Sequence, residues 1–409
     1  MRGFADGFVS VLLAQYLAEL GFSPVEIGAV VTATLVGSAA LTLSFGLTAH
    51  RLRLRTLLLA ASVMMAATGL GFASLTGYWP LLVVAAVGTL NPSSGDVSVF
   101  LPTEQALVAN QVTATARPRV FARYNLAGLL AGAFGALFSG LPQLAADRFG
   151  WSVLSAQRLG FVGYAVVGVV VFALYRGLRV DQDPVATDGD PGSSPPERRK
   201  ALGSSRRTVL ELAALFSLDS AGSGFVVTSI LVLWLHLRFD LGAGATGTIF
   251  FATGLLGACS QLLAPRLAAR IGLIRTMAYT HMPANALLVL AAFAPSGPVA
   301  VALLLTRSLF SQMDVPARQS FVMTVIPEER RPAASSITNV PRSLASAATP
   351  LLAGSLLGAS TFGWPLVIAG TTKLTYDLLL VVLYRHVPEQ PGATRVQARF
   401  SDVRDGGPR

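Results

Sequence analysis

The stretch Asp181-Gln-Asp-Pro-Val-Ala-Thr-Asp-Gly-Asp-Pro-Gly-Ser-Ser-Pro-Pro196 interrupts a chain that is otherwise a succession of apolar segments. Rich in Pro, Gly, Ser and acid, it cannot bury a core. It runs into the basic groups Arg198-Arg199-Lys200 and Arg206-Arg207, which suit anionic headgroups. Six apolar spans precede it, at 4–20, 26–48, 56–76, 79–107, 120–142 and 157–175. Six follow, at 209–236, 244–265, 276–294, 298–326, 333–359 and 363–384. Most reach the roughly 20 residues needed to cross hydrocarbon. The expectation is a membrane-embedded all-α protein: a first bundle over 1–178, a disordered linker over 179–207, a second bundle over 208–387 and a tail from 388 to 409.

Arginine sets the orientation. It occupies every second connection, as Arg51, Arg53 and Arg55, Arg117 and Arg119, the linker, Arg266, Arg270 and Arg275, then Arg330 and Arg331. Basic connections stay on the cytoplasmic side, so both termini are expected there, in a bacterial-type inner (plasma) membrane. Charged residues are 13% of the chain against 53% hydrophobic, about half the charge of an average soluble domain, ~25%. The net charge of +10 follows topology and lipid contact rather than nucleic acid. The first span has no cleavage-site pattern and is read as a retained helix. Cys259 stands alone and is expected as a small core residue, and the dispersed histidines 50, 236, 281 and 386 offer no metal site. No phosphate-binding Gly-rich loop or Ser/His/Asp order is present, so neither ATP-driven work nor catalysis is expected, and no cofactor.

The halves are related. An offset of 214 positions lays Pro102 on Pro316, Gln105 on Gln319, Arg117-Pro118 on Arg331-Pro332, Asn125 on Asn339 and Gly140 on Gly354. A parallel repeat of six-helix halves is a transporter architecture, with the ligand site between halves near mid-membrane. The loop Gly46-Leu-Thr-Ala-His50-Arg51-Leu-Arg53-Leu-Arg55 resembles the G-x-L-A-D-R-x-G-R-K loop of the major facilitator superfamily. Its second-half counterpart, Leu267-Ala-Ala-Arg270-Ile-Gly272, keeps the Arg and the Gly. The resemblance implies two pseudo-symmetric six-helix bundles and gating by this loop, with Arg51, His50 and Arg270 as its residues here. His50 and Ala269 replace the family's Asp, and the family's antiporter signatures are absent.

Ionisable groups inside spans are costly and mark functional sites. Arg307 has no carboxylate three or four positions away, so its partner is a distant helix or a ligand. Arg342, beside Pro341, is alike. With Asn91 of Asn91-Pro92, which marks either a kink or a discontinuous span, they form the expected substrate site. Asp96, Glu104, Asp6 and Asp219 are the expected proton carriers, since a carboxylate withdrawn from water can exchange a proton as access alternates. Glu104 matches Arg318 under the repeat, so the two could meet across the pseudo-twofold axis. Alternatively Asp96, Glu104 and Arg123 cluster within the first half. Asp314 and Arg318, four apart, are expected to pair and fasten the inner gate. Lys373 and Asp377, with the same spacing, are expected to pair with each other and to lie outside the site. Glycines 128, 132, 135 and 140 suit close helix packing.

The expected function is proton-coupled efflux of a small organic molecule by a monomer working by alternating access. The alternatives are proton-coupled uptake of an organic anion and a non-transporting scaffold or sensor.

Overall fold

The computed structural model describes residues 1–48, 54–93, 100–112, 117–177, 206–325 and 331–384. The linker, the tail, His50, Arg51 and Asp96 lie outside the described residues. Everything that forms an element is helical. In the first half these are α1 (Arg2–Glu19), α2 (Pro24–Thr48), α3 (Leu54–Ser74), α4 (Tyr78–Val87), α5 (Phe100–Gln111), α6 (Arg117–Phe138), α7 (Leu141–Phe149) and α8 (Val153–Gly177). In the second they are α9 (Arg206–Phe225), α10 (Thr228–Phe239), α11 (Ala243–Ile271), α12 (Leu273–Ala292), α13 (Gly297–Ser308), α14 (Asp314–Val325), α15 (Arg331–Ala359) and α16 (Trp364–Tyr384).

All twelve expected spans are represented, but four are broken. The fourth divides into α4 and α5, the fifth into α6 and α7, the seventh into α9 and α10, and the tenth into α13 and α14. Asn91-Pro92 therefore marks a discontinuity, not a kink, because Gly88 turns extended and Pro92 has no N–H to continue the helix. The breaks in the fourth and tenth spans obey the repeat: α5 and α14 are related by the offset of 214, and so are the starts of α6 and α15. Seven stretches are long and apolar enough to span a membrane, and α4 and α13 are shorter apolar helices. Buried polar side chains leave α1 and α12 outside that group: Asp6 and Gln15 in one, His281 and Asn285 in the other.

Each half packs its first span at its centre, α1 against α6 and α8 and α9 against α15 and α16, while α3 pairs with α8 and α12 with α16. Across the halves, α2 meets α15, α6 meets α11 and α1 meets α10. These contacts gather toward the end remote from Arg2 and the linker. Gln15 Nε2 donates to Thr246 Oγ1 at 3.1 Å, and the Leu351 N–H donates to Thr32 Oγ1 at 2.9 Å. At the α2–α15 crossing a Cβ on Gly28 would stand 2.5 Å from the Pro350 carbonyl, and one on Gly354 2.3 Å from that of Pro24.

The glycine series of the fifth span does serve packing. A Cβ on Gly135 would sit 1.9 Å from the Phe4 carbonyl, and one on Gly7 of α1 1.9 Å from that of Gly132. Glycine lets the backbones approach this closely. Cys259 corrects its expectation: it is exposed, on the face of α11 opposite the buried Ala258 and Ser260.

Gly7→Val should therefore force α1 off α6 and cost at least the ~1–3 kcal/mol of ordinary overpacking. Gly163→Ala, whose added methyl meets nothing within 4 Å, is the control and should hold the wild-type melting temperature in detergent. Equal melting of the two variants would mean that α1 and α6 separate at no cost.

Candidate functional site

A cavity of about 190 Å³ lies between the halves. Three of the four helix breaks reach it, at Ser93, at Val226 and Thr228, and at Ser311 and Gln312. Breaking a span frees backbone groups that hydrocarbon cannot solvate, so such segments occur only inside protein or beside a cavity. Here they are met from within. The Thr89 N–H donates to Thr68 Oγ1 at 3.3 Å, and Tyr164 Oη donates to the Thr89 carbonyl at 3.3 Å. The Pro92 carbonyl accepts from the Ser229 N–H of the other half at 3.2 Å, while Ser229 Oγ donates to the Ser10 carbonyl at 2.7 Å.

The wall is half apolar, from Leu129, Leu231, Ile249 and Phe250, and half hydroxyl and amide, from Ser10, Ser93, Ser308, Ser311, Thr253 and Gln312. One side chain in it can carry a charge: Arg307, at the end of α13. Its Nε is buried with no hydrogen-bond partner, and among the described residues no carboxylate lies within ion-pair distance. Glu104 and Asp219 are paired with other cations, Arg2 in one case and Arg318 and Lys373 in the other.

Asn91 and Arg342 do not line this cavity. Asn91 is buried and accepts from the Ser93 N–H at 3.1 Å and Ser93 Oγ at 2.9 Å, which shapes the turn that presents Ser93. Arg342 donates to Ser220 Oγ at 3.3 Å and stacks on Phe216, on α9. Arg270 is exposed at the end of α11, and Arg123 is exposed on α6, away from any first-half cluster.

In the first half the charges gather on Arg2, at the start of α1. Arg2 grips Glu104 with two bonds, Nε to Oε1 at 3.2 Å and Nη2 to Oε2 at 3.1 Å, and reaches Asp6 Oδ2 at 3.0 Å. Tyr175 donates to Glu104 at 2.6 Å, and Tyr124 donates to it as well. Glu104 thus meets Arg2 of its own half, and the pairing with Arg318 across the pseudo-axis does not form. Glu104 is held by Arg2 and Arg318 by Asp219 and Asp314, each within its own half.

The second half holds a larger network. Arg318 pairs with Asp314 as its spacing requires, and also with Asp219 at 3.1 Å. Lys373 and Asp377 do not pair with each other. Lys373 Nζ reaches Asp219 at 2.8 Å, and Asp377 receives His281 Nδ1 at 2.8 Å and Asn285 Nδ2 at 3.0 Å. Both are buried. Their face of α16 packs against α9 and α12, where interhelical partners saturate them better than a solvent-style intrahelical pair would. His281 and Asn285, four apart on α12, were the missed signal, since a His and an Asn at helical spacing inside a span need a shared partner. Among the described residues no group of His, Cys, Asp and Glu could hold a metal ion.

The comparisons fit this geometry. A D-xylose–proton symporter superposes with TM-score 0.71 at 16% identity, covering 95% of this chain and 96% of that one. The nucleoside transporter NupG gives 0.67 at 14%, covering 94% and 96%. A bacterial homolog of the human lysosomal transporter Spinster, in an inward-facing and unoccupied conformation, gives 0.68 at 12%, covering 93% of each chain. An uncharacterized membrane protein of Saccharomyces cerevisiae is 25% identical over 410 residues, covering 94% of this chain and 92% of its own. The profile of the Major Facilitator Superfamily matches residues 1–310, and with two six-span halves around a central cavity the chain belongs to that superfamily.

Proposed function

We propose that the chain is a secondary active transporter that takes up a small organic anion with a proton. The observation that carries this reading is Arg307. A buried guanidinium with no counter-ion among the described residues, facing a cavity of about 190 Å³, is a fork suited to a carboxylate or phosphate oxygen pair. The surrounding hydroxyls and Gln312 would orient the rest of the ligand. Asn91 contributes by shaping the turn at Ser93, and Arg342 by its place on α15, which crosses α2 of the other half.

Charge also favours uptake over the efflux expected from resemblance. Each negative charge entering a cell against 100 mV costs about 2.3 kcal/mol. A co-transported proton cancels that cost and adds the pH gradient, whereas an anion leaves down the potential unaided. Of the sequence-derived proton carriers, Glu104 and Asp219 are tied to arginines and suit a locking role, and Asp6 shares Arg2. His50, Arg51 and Arg270 remain our candidates for the gating loops, and the Asp314–Arg318 pair for the inner gate.

The arginine pattern puts the linker and both termini in the cytoplasm of a bacterial-type plasma membrane. On that orientation the arrangement seen here, joined at the end remote from Arg2, is inward-facing. A cysteine placed at Gly192 should react with membrane-impermeant reagents only after the cells are opened. Labelling on intact cells would reverse the orientation and with it the inward-facing assignment.

Arg307→Ala should leave the detergent-purified protein as stable as wild type or more so, because it removes a buried charge that has no counter-ion among the described residues. Arg318→Ala strands Asp314, leaves Asp219 with Lys373 alone and should cost ~3–5 kcal/mol. Comparable losses in thermal melts would reveal a counter-ion for Arg307 and take it out of the substrate site.

In proteoliposomes, an inside-alkaline pH gradient should drive accumulation of one member of a panel of labelled mono- and dicarboxylates and phosphate esters. A protonophore should abolish that accumulation, Arg307→Lys should weaken it, and ATP should be unnecessary. Accumulation driven only by the opposite gradient would establish efflux, and none with any anion would remove the anion reading.

A further inference from the structure

The polar network of the second half separates two apolar clusters. Val209, Leu212, Phe216, Met277, Phe321 and Leu380 close it on the linker side, and the main core closes it on the other. The layer between them contains three buried carboxylates, Asp219, Asp314 and Asp377, and two cations, the part-buried Arg318 and the buried Lys373. Both cations are spent on Asp219 and Asp314. Asp377, 0% exposed, touches neither. Its oxygens meet only His281 Nδ1 at 2.8 Å and Asn285 Nδ2 at 3.0 Å. His281 turns its other nitrogen, Nε2, toward Asp219 Oδ1 at 3.9 Å. A carboxylate sealed from water and facing only a neutral ring and an amide would be an uncompensated buried charge.

We infer that His281 and Asp377 form a binding site for one proton, shared by the pair and enclosed in the second half away from the substrate cavity. With the proton on the ring, an imidazolium lies between Asp377 and Asp219. With it on Asp377, the acid O–H faces Nδ1. Either way the layer is balanced, and either way one proton is held.

Among the described residues the surroundings supply no other compensating charge. Helices α11, α13 and α14 pack on α12, α9 packs on α16 with α15 at one side, and α12 and α16 pack on each other. Arg266 and Arg270 on α11 and Arg275 on α12 are exposed, and Glu211 on α9 is only partly buried. Arg307 on α13 lines the cavity. Arg342 on α15 donates to Ser220 Oγ and packs on Phe216. Tyr376 stacks edge-on to His281, with ring centroids 6.1 Å apart.

The site is joined to the cavity through Asp219, Arg318 and Asp314, the residue that opens α14. The preceding break, 309–313, puts Ser311 and Gln312 into the cavity wall. Occupancy by a proton thus bears on the segment that holds the ligand. That consequence rests on the transport reading, while the proton site itself does not.

The test uses the full-length protein in detergent without any substrate. Nitrogen-15 NMR of labelled histidine, with His281 assigned through His281→Gln, reads the charge of the ring. Infrared absorption of carboxylic acids, assigned through Asp377→Asn, reads the acid. At neutral pH the wild type should show a charged His281 ring or a protonated Asp377, and Asp377→Asn should leave the ring neutral. If His281→Gln does not fold, replacing His50, His236 and His386 in turn assigns the signal by elimination. A neutral ring together with no Asp377 acid band, from mildly acid to mildly alkaline pH, overturns the site. That failure would leave anion transport untouched, just as a failed transport assay would leave the proton signal intact.

Discussion

Hydrocarbon cannot hydrogen-bond, and most of this molecule follows from that constraint. Every carbonyl freed by a broken helix and every charge drawn inside must find its partner within the protein. The fourth span breaks at Gly88–Ser93 and is repaired by Thr68 and Tyr164 from its own half and by Ser229 from the other. Asp6, Glu104, Asp219, Asp314 and Asp377 are all bonded to side chains of other residues. Arg307, at the cavity wall, has no ion-pair partner among the described residues, and its Nε is one of several buried polar atoms without a hydrogen bond.

The two halves solve one problem with opposite signs. In the first, an arginine near the start of the first span holds the carboxylate of the fourth, through Arg2 and Glu104. In the second, an aspartate of the seventh span holds the arginine of the tenth, through Asp219 and Arg318. Glu104 and Arg318 are the repeat-related positions. A duplicated fold needs an attraction between these helices, and either polarity provides it. The second half then adds Lys373, His281 and Asp377.

These locks lie within halves, while the seam between halves is built differently. Across it run glycine–backbone approaches, as at Gly28 and Gly354, and single neutral hydrogen bonds from Gln15, Thr32 and Ser229. Breaking a buried ion pair by losing one partner costs ~3–5 kcal/mol, whereas one neutral hydrogen bond is worth only ~0.5–1.5 kcal/mol net. Each half is thereby cohesive and the seam is separable, as rocking about a central site requires.

Much of this was legible in the residues. Span number, the two halves and their repeat follow from apolar length, the arginine rhythm and a constant offset, all of which are properties along one strand of sequence. The Asp314–Arg318 pair and the packing role of Gly132 and Gly135 were legible too, because a helix fixes which neighbours share a face. Partners on different helices were not. Lys373 and Asp377 have the spacing of an intrahelical pair, yet each turned to a different helix. Glu104 and Arg318 match by repeat and never meet. Arg2 and His281 looked incidental until folding brought Glu104 to one and Asp377 to the other. Helical periodicity determines the direction in which a side chain points, and only the packing of helices decides what waits there.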